Sequence, residues 1–466
     1  MIKYKLFTRN FKKLKVVFVL VFLLSGLPQA CDNYVEVDLP NSQLTSETVF
    51  EDIATANAAM TGIYAKMRTN GLFAGTLSGS SVYLGLYADE LDYYPTTVNN
   101  FYGNTLIAGE SGVASMWNTS YHQIYEANAV MEGAMNSTNL TEAERNELKG
   151  ESLFVRAFVH LYLVELFGDI PYIKSTNYET NSIVGRMPKT IVYQNIIADL
   201  ELAKTLLPEV YYTAERVRPN RYAAAAVQAR AYLYSGSYAE ASNAASSVIN
   251  SSLYIWETDL DKVFLKGSTT TIWQFSPNAA GNNTSEGNLY IFPTGPPTNI
   301  ALKNDFVNSF AIGDQRKTKW IKAVTGGTST WYHPFKYKQR NPTSSSMEYS
   351  IVLRLAEQYL IRAEARARQG ELTNAKSDLN LIRNTAGLPN TIAVTADEIV
   401  AEVLKQRRFE LFTEFGHRFF DLKRTDQLDA VLPLSKPGWN HNDQLWPIPA
   451  LELTVNPNLN PQNPDY

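Results

Sequence analysis

Apolar positions recur at helical spacing over most of the chain. Between Thr45 and Met67, the residues Ile53, Met60, Ile63, Tyr64 and Met67 fall roughly on one face among many alanines, which predicts an amphipathic helix. Helical patterns return at 113–135 and 140–167, then at 188–207, 219–235 and 237–250, where Pro208, Pro219 and Gly236 separate them. Leu153 to Phe167 is apolar nearly all round except for Arg156, His160 and Glu165; such a helix is packed on every side, so it is predicted to lie centrally. Three more helices are predicted at 349–369, 371–384 and 395–415. The last has Thr395 and Glu398 at capping-box spacing and Gly416 placed to terminate it.

Two stretches break the pattern. Residues 69–112 are rich in Gly, Ser, Tyr and Asn and read as a long irregular segment, and residues 251–346 interleave Gly, Pro, Thr and Asn with aromatics, which predicts short strands and long loops. The final fifty residues are proline-punctuated and read as extended. An internal echo links the helical parts: Ala231, Gly236, Tyr238 and Ala241 repeat the spacing of Ala365, Gly370, Leu372 and Ala375. Small residues let two antiparallel helices approach, the glycine turns between them and the large residue locks the pair, which is the logic of a tetratricopeptide-like hairpin. The pattern predicts a mainly α chain with short strands and long irregular loops; small-residue helical hairpins occur in many all-α folds, so two copies do not by themselves fix a solenoid. The distance between the two copies predicts an array interrupted by the 251–346 segment.

The 466 residues carry 42 Lys+Arg against 46 Asp+Glu, and the chain has one cysteine, so no internal disulfide or cysteine-rich zinc site is available. Lys3, Lys5, Arg9, Lys12, Lys13 and Lys15 precede an apolar run from Val16 to Leu27, too short to span a bilayer and shaped like an export signal. Ala30 is the small residue before the cut, and Cys31 follows it. A cysteine there is where bacterial lipoproteins are acylated, and two chains anchor stably. Residues 1–30 are thus expected to be a lipoprotein signal peptide, 31–466 a single domain, and Cys31 the lipidation site. Without the six basic residues of the leader the formal charge falls to −10, which offers no general steering to nucleic acid.

No Walker loop, GxGxxG, HExxH or GxSxG pattern occurs, and the five histidines are dispersed, so no catalytic residue, cofactor or metal is nominated. His160 reads as a satisfied core histidine. Asp89, Glu90 and Asp92 read as solvated loop acids with calcium as the alternative. Paired carboxylates of a glycoside hydrolase need only meet in space, so a surface hydrolase stays an alternative, as does a structural tetratricopeptide adaptor.

Several stretches fall into one order: Cys31-Asp32, RAFVHLYLVELFGDIP from Arg156 to Pro171, ARAYLYSGSY from Ala229 to Tyr238, LRLAEQYLIRAEA from Leu353 to Ala365, and RFELFTEFGHRFFDLKR from Arg408 to Arg424. LWPIP from Leu445 to Pro449 and NPNLNPQNPDY from Asn456 to Tyr466 close the chain. Together these resemble the SusD/RagB family of outer-membrane nutrient-binding lipoproteins. Arg156, Arg354, Arg408, Glu410, Glu414 and Arg418 are charges among apolar helical neighbours, and so are expected to be paired scaffold residues. The resemblance implies a mainly α fold, a tetratricopeptide-like helical hairpin scaffold at about 45–67, 113–250 and 349–424, with short strands and a large irregular loop-rich ligand-binding face at about 69–112 and 251–346. It also implies a cell-surface, lipid-anchored glycan-binding protein, not an enzyme, acting as the lid of a SusC-like TonB-dependent transporter. An oligopeptide-binding, RagB-like lid is the alternative.

Tyr 27, Phe 21 and Trp 7 supply flat rings for stacking on sugars, with amides for their hydroxyls. The ligand-binding candidates are Tyr83, Tyr94, Asn99 and Tyr102 in the first loop-rich segment and Trp273, Tyr290 and Trp331 in the second. Trp320 follows Asp314-Gln-Arg316, which looks like a scaffold element, and is left out.

Overall fold

A computed structural model of the chain describes residues 48–466. The leader, the cleavage position and Cys31 lie outside the described residues. The helices that build the scaffold are α1 (Ile53–Thr69), α2 (Ser80–Tyr87), α3 (Ser111–Asn136), α4 (Glu142–Phe167), α5 (Lys189–Leu206), α6 (Arg221–Tyr234) and α7 (Tyr238–Ile249). After the loop-rich segment, which holds the short helix α8 (Ser285–Tyr290), come α9 (Leu355–Arg368), α10 (Leu372–Thr385), α11 (Ala396–Glu410) and α12 (His417–Arg424). The strands are β1 (Leu91–Tyr93), β2 (Thr271–Phe275), β3 (Ile300–Leu302), β4 (Ile321–Gly326), β5 (Ser329–Pro334) and β6 (Ser350–Arg354). The architecture is mainly helical.

The helices stack in sequence order, α3 on α4, α4 on α5, α5 on α6 and α6 on α7. Every residue of α4 from Gly150 onward is buried, so it occupies the centre that its all-round apolar character requires. Its start is fixed by a capping box between Thr141 and Glu144. The two echoed hairpins are α6–α7 and α9–α10. Each turns on a glycine in the left-handed region, Gly236 at φ 79° and Gly370 at φ 83°. Although the 251–346 segment separates them in sequence, α7 packs directly on α9, and Leu233, Ala241, Ala245, Ile361 and Ala365 form one cluster between them. The array is therefore continuous in space, and the loop-rich segment leaves and re-enters it between neighbouring hairpins.

Strands β1, β3, β5 and β4 form an antiparallel sheet in that order, and β2 pairs with β6 in a separate ribbon. Helix α9 begins only at Leu355, because residues 350–354 are strand β6. All five of its residues are buried, and a strand buried on both faces carries no period-2 signature to separate it from a helix. Gly416 does not terminate α11, which ends at Glu410. It sits at φ 78° before α12, where a β-carbon would lie 2.1 Å from Leu84 Cδ1. Leu84 belongs to α2, a helix inside the segment expected to be irregular. Seven of its eight residues are buried, and Ser80, Ser81 and Gly85, which read as loop composition, permit that close packing. The closing fifty residues are short helical turns rather than extended chain. The first helix starts at Ile53, after a single 3₁₀ turn over Thr48–Phe50.

Candidate ligand-binding face

The four-stranded sheet presents alternate residues to its two sides. Leu91, Ile300 and Leu302 join a core cluster, with Tyr93 and Tyr332 packed against it. Trp331 and His333 take the opposite side of β5. His333 is covered by Phe292, at 5.0 Å between ring centroids. Trp331 is backed by glycines: a β-carbon on Gly295 would lie 2.2 Å from its six-membered ring, and one on Gly326 would lie 3.2 Å away. Only bare backbone fits there, so the glycines hold one side of the indole flat against the chain. The ring stays partly exposed, and among the described residues its N–H has no hydrogen-bond partner. A ring braced on one side, with a free donor on its edge, is what stacking on a sugar demands.

The other expected ligand residues divide. Tyr94 is partly buried, held through its backbone N–H to the Asn299 carbonyl at 2.8 Å, and its ring has no aromatic partner among the described residues. Tyr83 stacks on Phe101 at 3.9 Å with 6° between planes, which occupies one of its faces. Tyr102 lies between two ammonium groups, Lys436 at 4.0 Å and Lys303 at 5.5 Å from its centroid, and its hydroxyl donates to Asp92 at 3.0 Å. Its ring is committed to cation–π contacts, so it orders the loop instead of offering a platform. Asn99 caps the helical turn at Asn100–Gly103, its side chain accepting from Tyr102 N at 3.0 Å.

Trp273 and Tyr290 are corrected. Trp273 is fully buried, set edge-on to Phe154 at 5.0 Å and Tyr64 at 5.7 Å, with its indole N–H donating to the Val217 carbonyl. Tyr290 is 4% exposed in the core cluster beneath the sheet. Neither ring face can reach a ligand. Both belong to elements packed against the helical array, and sequence composition does not reveal which side of a short strand or helix faces inward. Trp320, by contrast, is the scaffold residue expected, fully buried with its N–H on the Leu260 carbonyl at 2.9 Å.

A cavity of about 580 Å³ opens where the two loop-rich segments meet. One wall is residues 75–78, the other the start of α8 and the strand-free turn around Arg340. It is lined by amides and hydroxyls together with Leu77, Leu289, Pro342 and Arg340, with no aromatic ring and no carboxylate. Asn283 serves as structure, donating to the Asn341 carbonyl and accepting from Met347 N and Glu348 N. Asn278, Asn282, Asn288 and Asn341 keep polar atoms free toward the groove. These amides were not among the sequence-nominated residues. The sequence signal for them is the asparagine-dense run from Asn278 to Asn288.

The scaffold carries a buried ionic web. Arg354 bonds Glu410 at 2.7 Å and Glu414 at 2.8 Å, and Lys336 joins Glu414. Arg156 grips Asp199 with two bonds of 2.7 and 2.8 Å. Asp89 is not a solvated loop acid: it is buried between Arg408 at 2.9 Å and Arg418 at 2.8 Å, and despite burial these cations hold its pKa down to about 2. Its neighbour Glu90 is pushed up to about 7 by burial and by Asp89. Asp92 pairs with Lys303 at 3.0 Å. His160 accepts from Ile173 N on Nε2 and donates from Nδ1 to the Arg156 carbonyl, and burial lowers its pKa to about 3, so it is a neutral core residue. Among the described residues no group of three His, Cys, Asp or Glu could hold a metal ion, and no helix is long and apolar enough to cross a membrane.

Comparison with known proteins places this arrangement. A family model described as "Starch-binding associating with outer membrane" matches residues 34–233, and the model of the SusD family matches 268–466. SusD-like protein P2 of Formosa agariphila is 28% identical over 98% of this chain and 100% of its own length. A SusD superfamily protein from Bacteroides vulgatus superposes with a TM-score of 0.77 at 21% identity, over 89% of this chain and 99% of that one. A laminarin binding SusD-like protein superposes with a TM-score of 0.73 at 23% identity, over 89% and 99% of the two chains. With one SusD-like model over residues 34–233 and the SusD family model over 268–466, the chain belongs to the SusD/RagB family.

Proposed function

We propose that the protein is a cell-surface glycan-binding lipoprotein that captures oligosaccharide for a SusC-like TonB-dependent outer-membrane transporter and closes over it as a lid. Anchoring is through Cys31 once residues 1–30 are removed. The observation that carries the reading is the amide-rich groove where the loop-rich segments of a SusD-type scaffold meet, and the glycine-backed, partly exposed Trp331 elsewhere on those segments supports it. The ring suits the apolar face of a sugar, and the amides supply both donors and acceptors for its hydroxyls. A relative of the same fold is described as laminarin binding, which supports a polysaccharide as the ligand class. In this reading the protein binds without catalysis, in keeping with the described groove lining, which offers amides and hydroxyls and no carboxylate.

Retention on polysaccharide affinity gels tests it. Wild-type protein is expected to be retarded without releasing reducing ends, and Trp331→Ala is expected to lose retardation with an unchanged melting temperature. Retention of an oligopeptide in place of any glycan favours the RagB-like alternative, and new reducing ends favour a hydrolase. Co-purification with a β-barrel partner from outer membranes tests the lid, and its absence argues for a free-standing binder.

A further inference from the structure

The charge pattern of the groove separates it from the rest of the molecule. The chain as a whole is acidic, yet the 580 Å³ cavity has one charged lining residue, Arg340, and no carboxylate. Arg340 is exposed and makes no ion pair among the described residues. Its backbone is nonetheless fixed. Asn288 Nδ2 donates to the Arg340 carbonyl at 3.2 Å, and the preceding Gln339 carbonyl lies 2.5 Å from where a β-carbon on Gly287 would stand. The turn is pressed against α8, so the guanidinium is free while its root is held.

A recess of about 100 Å³ continues from the groove and shares Asn278, Asn283, Thr284 and Ser285 with it. Arg68, at the end of α1, lines that recess. It donates one bond, to the Ser276 carbonyl at 2.7 Å, and has no ion pair. Burial lowers its pKa with nothing acting in the other direction. This differs from Arg156, Arg218, Arg230 and Arg354, each of which is neutralised by a carboxylate, and from Arg216, which spends its donors on four carbonyls. The acid in the recess, Glu348, is turned away, its two oxygens accepting from Lys338 N and Gln339 N. Arg340 thus lines the groove and Arg68 the recess that adjoins it, both with unspent donors, and a partly buried guanidinium without a counter-ion is an unfavourable arrangement unless a ligand supplies the charge.

We infer that the groove is selective for acidic saccharides, a carboxylate of a uronate or a sulfate ester lying against Arg340 with Arg68 as a second contact. This rests on the glycan-binding reading above and names the ligand class within it. The shared chemistry is an anionic oxyacid on a sugar ring, and the two sources are distinguished by the probe.

Full-chain protein is compared on polygalacturonate, dextran sulfate and unmodified dextran, with Arg340→Gln as the variant. Arg340 is exposed, so the substitution leaves folding intact. Retention by one or both acidic polymers is expected, with dissociation constants about tenfold or more weaker in the variant, the loss typical of a hydrogen bond to a charged group. Affinity is also expected to fall as salt rises, while any weak retention on dextran stays constant. Non-specific attraction to dextran sulfate is disfavoured because the protein is itself acidic. The stronger of the two acidic polymers names the anionic group. Equal or tighter binding of dextran with no effect of Arg340→Gln overturns the inference and leaves the glycan-binding reading standing. Binding of no polysaccharide, with an oligopeptide bound instead, overturns both.

Discussion

At the scale of single residues, two tryptophans that look alike in sequence have opposite roles. Trp273 fills the junction between the β2–β6 ribbon and α4, and its replacement by alanine is expected to cost about 3–5 kcal/mol in chemical denaturation. Trp331→Ala is expected to cost far less, since only one side of its ring is packed. Asp89 is a second case. Asp89→Asn leaves Arg408 and Arg418 buried beside a neutral amide, and a loss of roughly 3–5 kcal/mol is expected.

Glu90 gives a pH signature. One of its oxygens accepts weakly from Thr413 N at 3.4 Å and the other has no partner, while Asp89 repels its charge and Arg418 and Lys336 offset this only in part. The folded state therefore binds the proton more tightly than the unfolded state does. Stability is lost as pH rises from the unfolded value of about 4.5 to the folded value of about 7, and is level above it. Glu90→Gln is expected to melt higher than wild type by a margin that grows across that window and then stays constant. The full margin is on the order of 2–3 kcal/mol. A margin independent of pH would mean that Glu90 is ionised throughout.

At the scale of elements, the hairpin turns are the simplest test of the repeat. Gly236 and Gly370 both adopt left-handed backbone, and no atom lies within 4 Å of an added β-carbon at either. Alanine at each should cost about 1 kcal/mol for the backbone alone. A leucine at Ala365, packed between α7 and α9, should cost more, about 1–3 kcal/mol, through overpacking. Equal effects would mean the hairpins are not closely apposed. The echo between these hairpins was legible because helix contacts impose a spacing on small residues. Their direct stacking was not, because sequence separation carries no information on where an insertion leaves the array. Strand β6 and helix α2 escaped the periodicity for a related reason: both are buried on nearly all sides, and burial erases the polar half of the pattern. The capping box at Thr395 and the charged scaffold residues could be read directly, since local geometry and the cost of burying a charge act on few residues at a time. The ligand face could not, because Tyr102 and Trp273 differ from Trp331 only in what the fold places over their rings.

At the scale of the whole molecule, the array of hairpins is a rigid support from which two loop-rich segments emerge and meet. Their junction is open, rich in amides and free of acids, whereas the ionic web of the scaffold is closely paired. Stability and recognition are thereby separated: charges that hold the helices in register are buried against one another, while Arg340 and the amides of the groove keep polar atoms unspent. A binding surface assembled this way can change its ligand by changing loop residues without disturbing the scaffold, which accords with low sequence identity to solved relatives of the same fold. The most direct measurement is a glycan array probed with wild-type protein beside the double variant Trp331→Ala, Asn341→Ala. At least one glycan class is predicted to bind wild type and to be lost in the variant at an unchanged melting temperature. Binding to no glycan, or binding that the double variant leaves intact, would contradict the account.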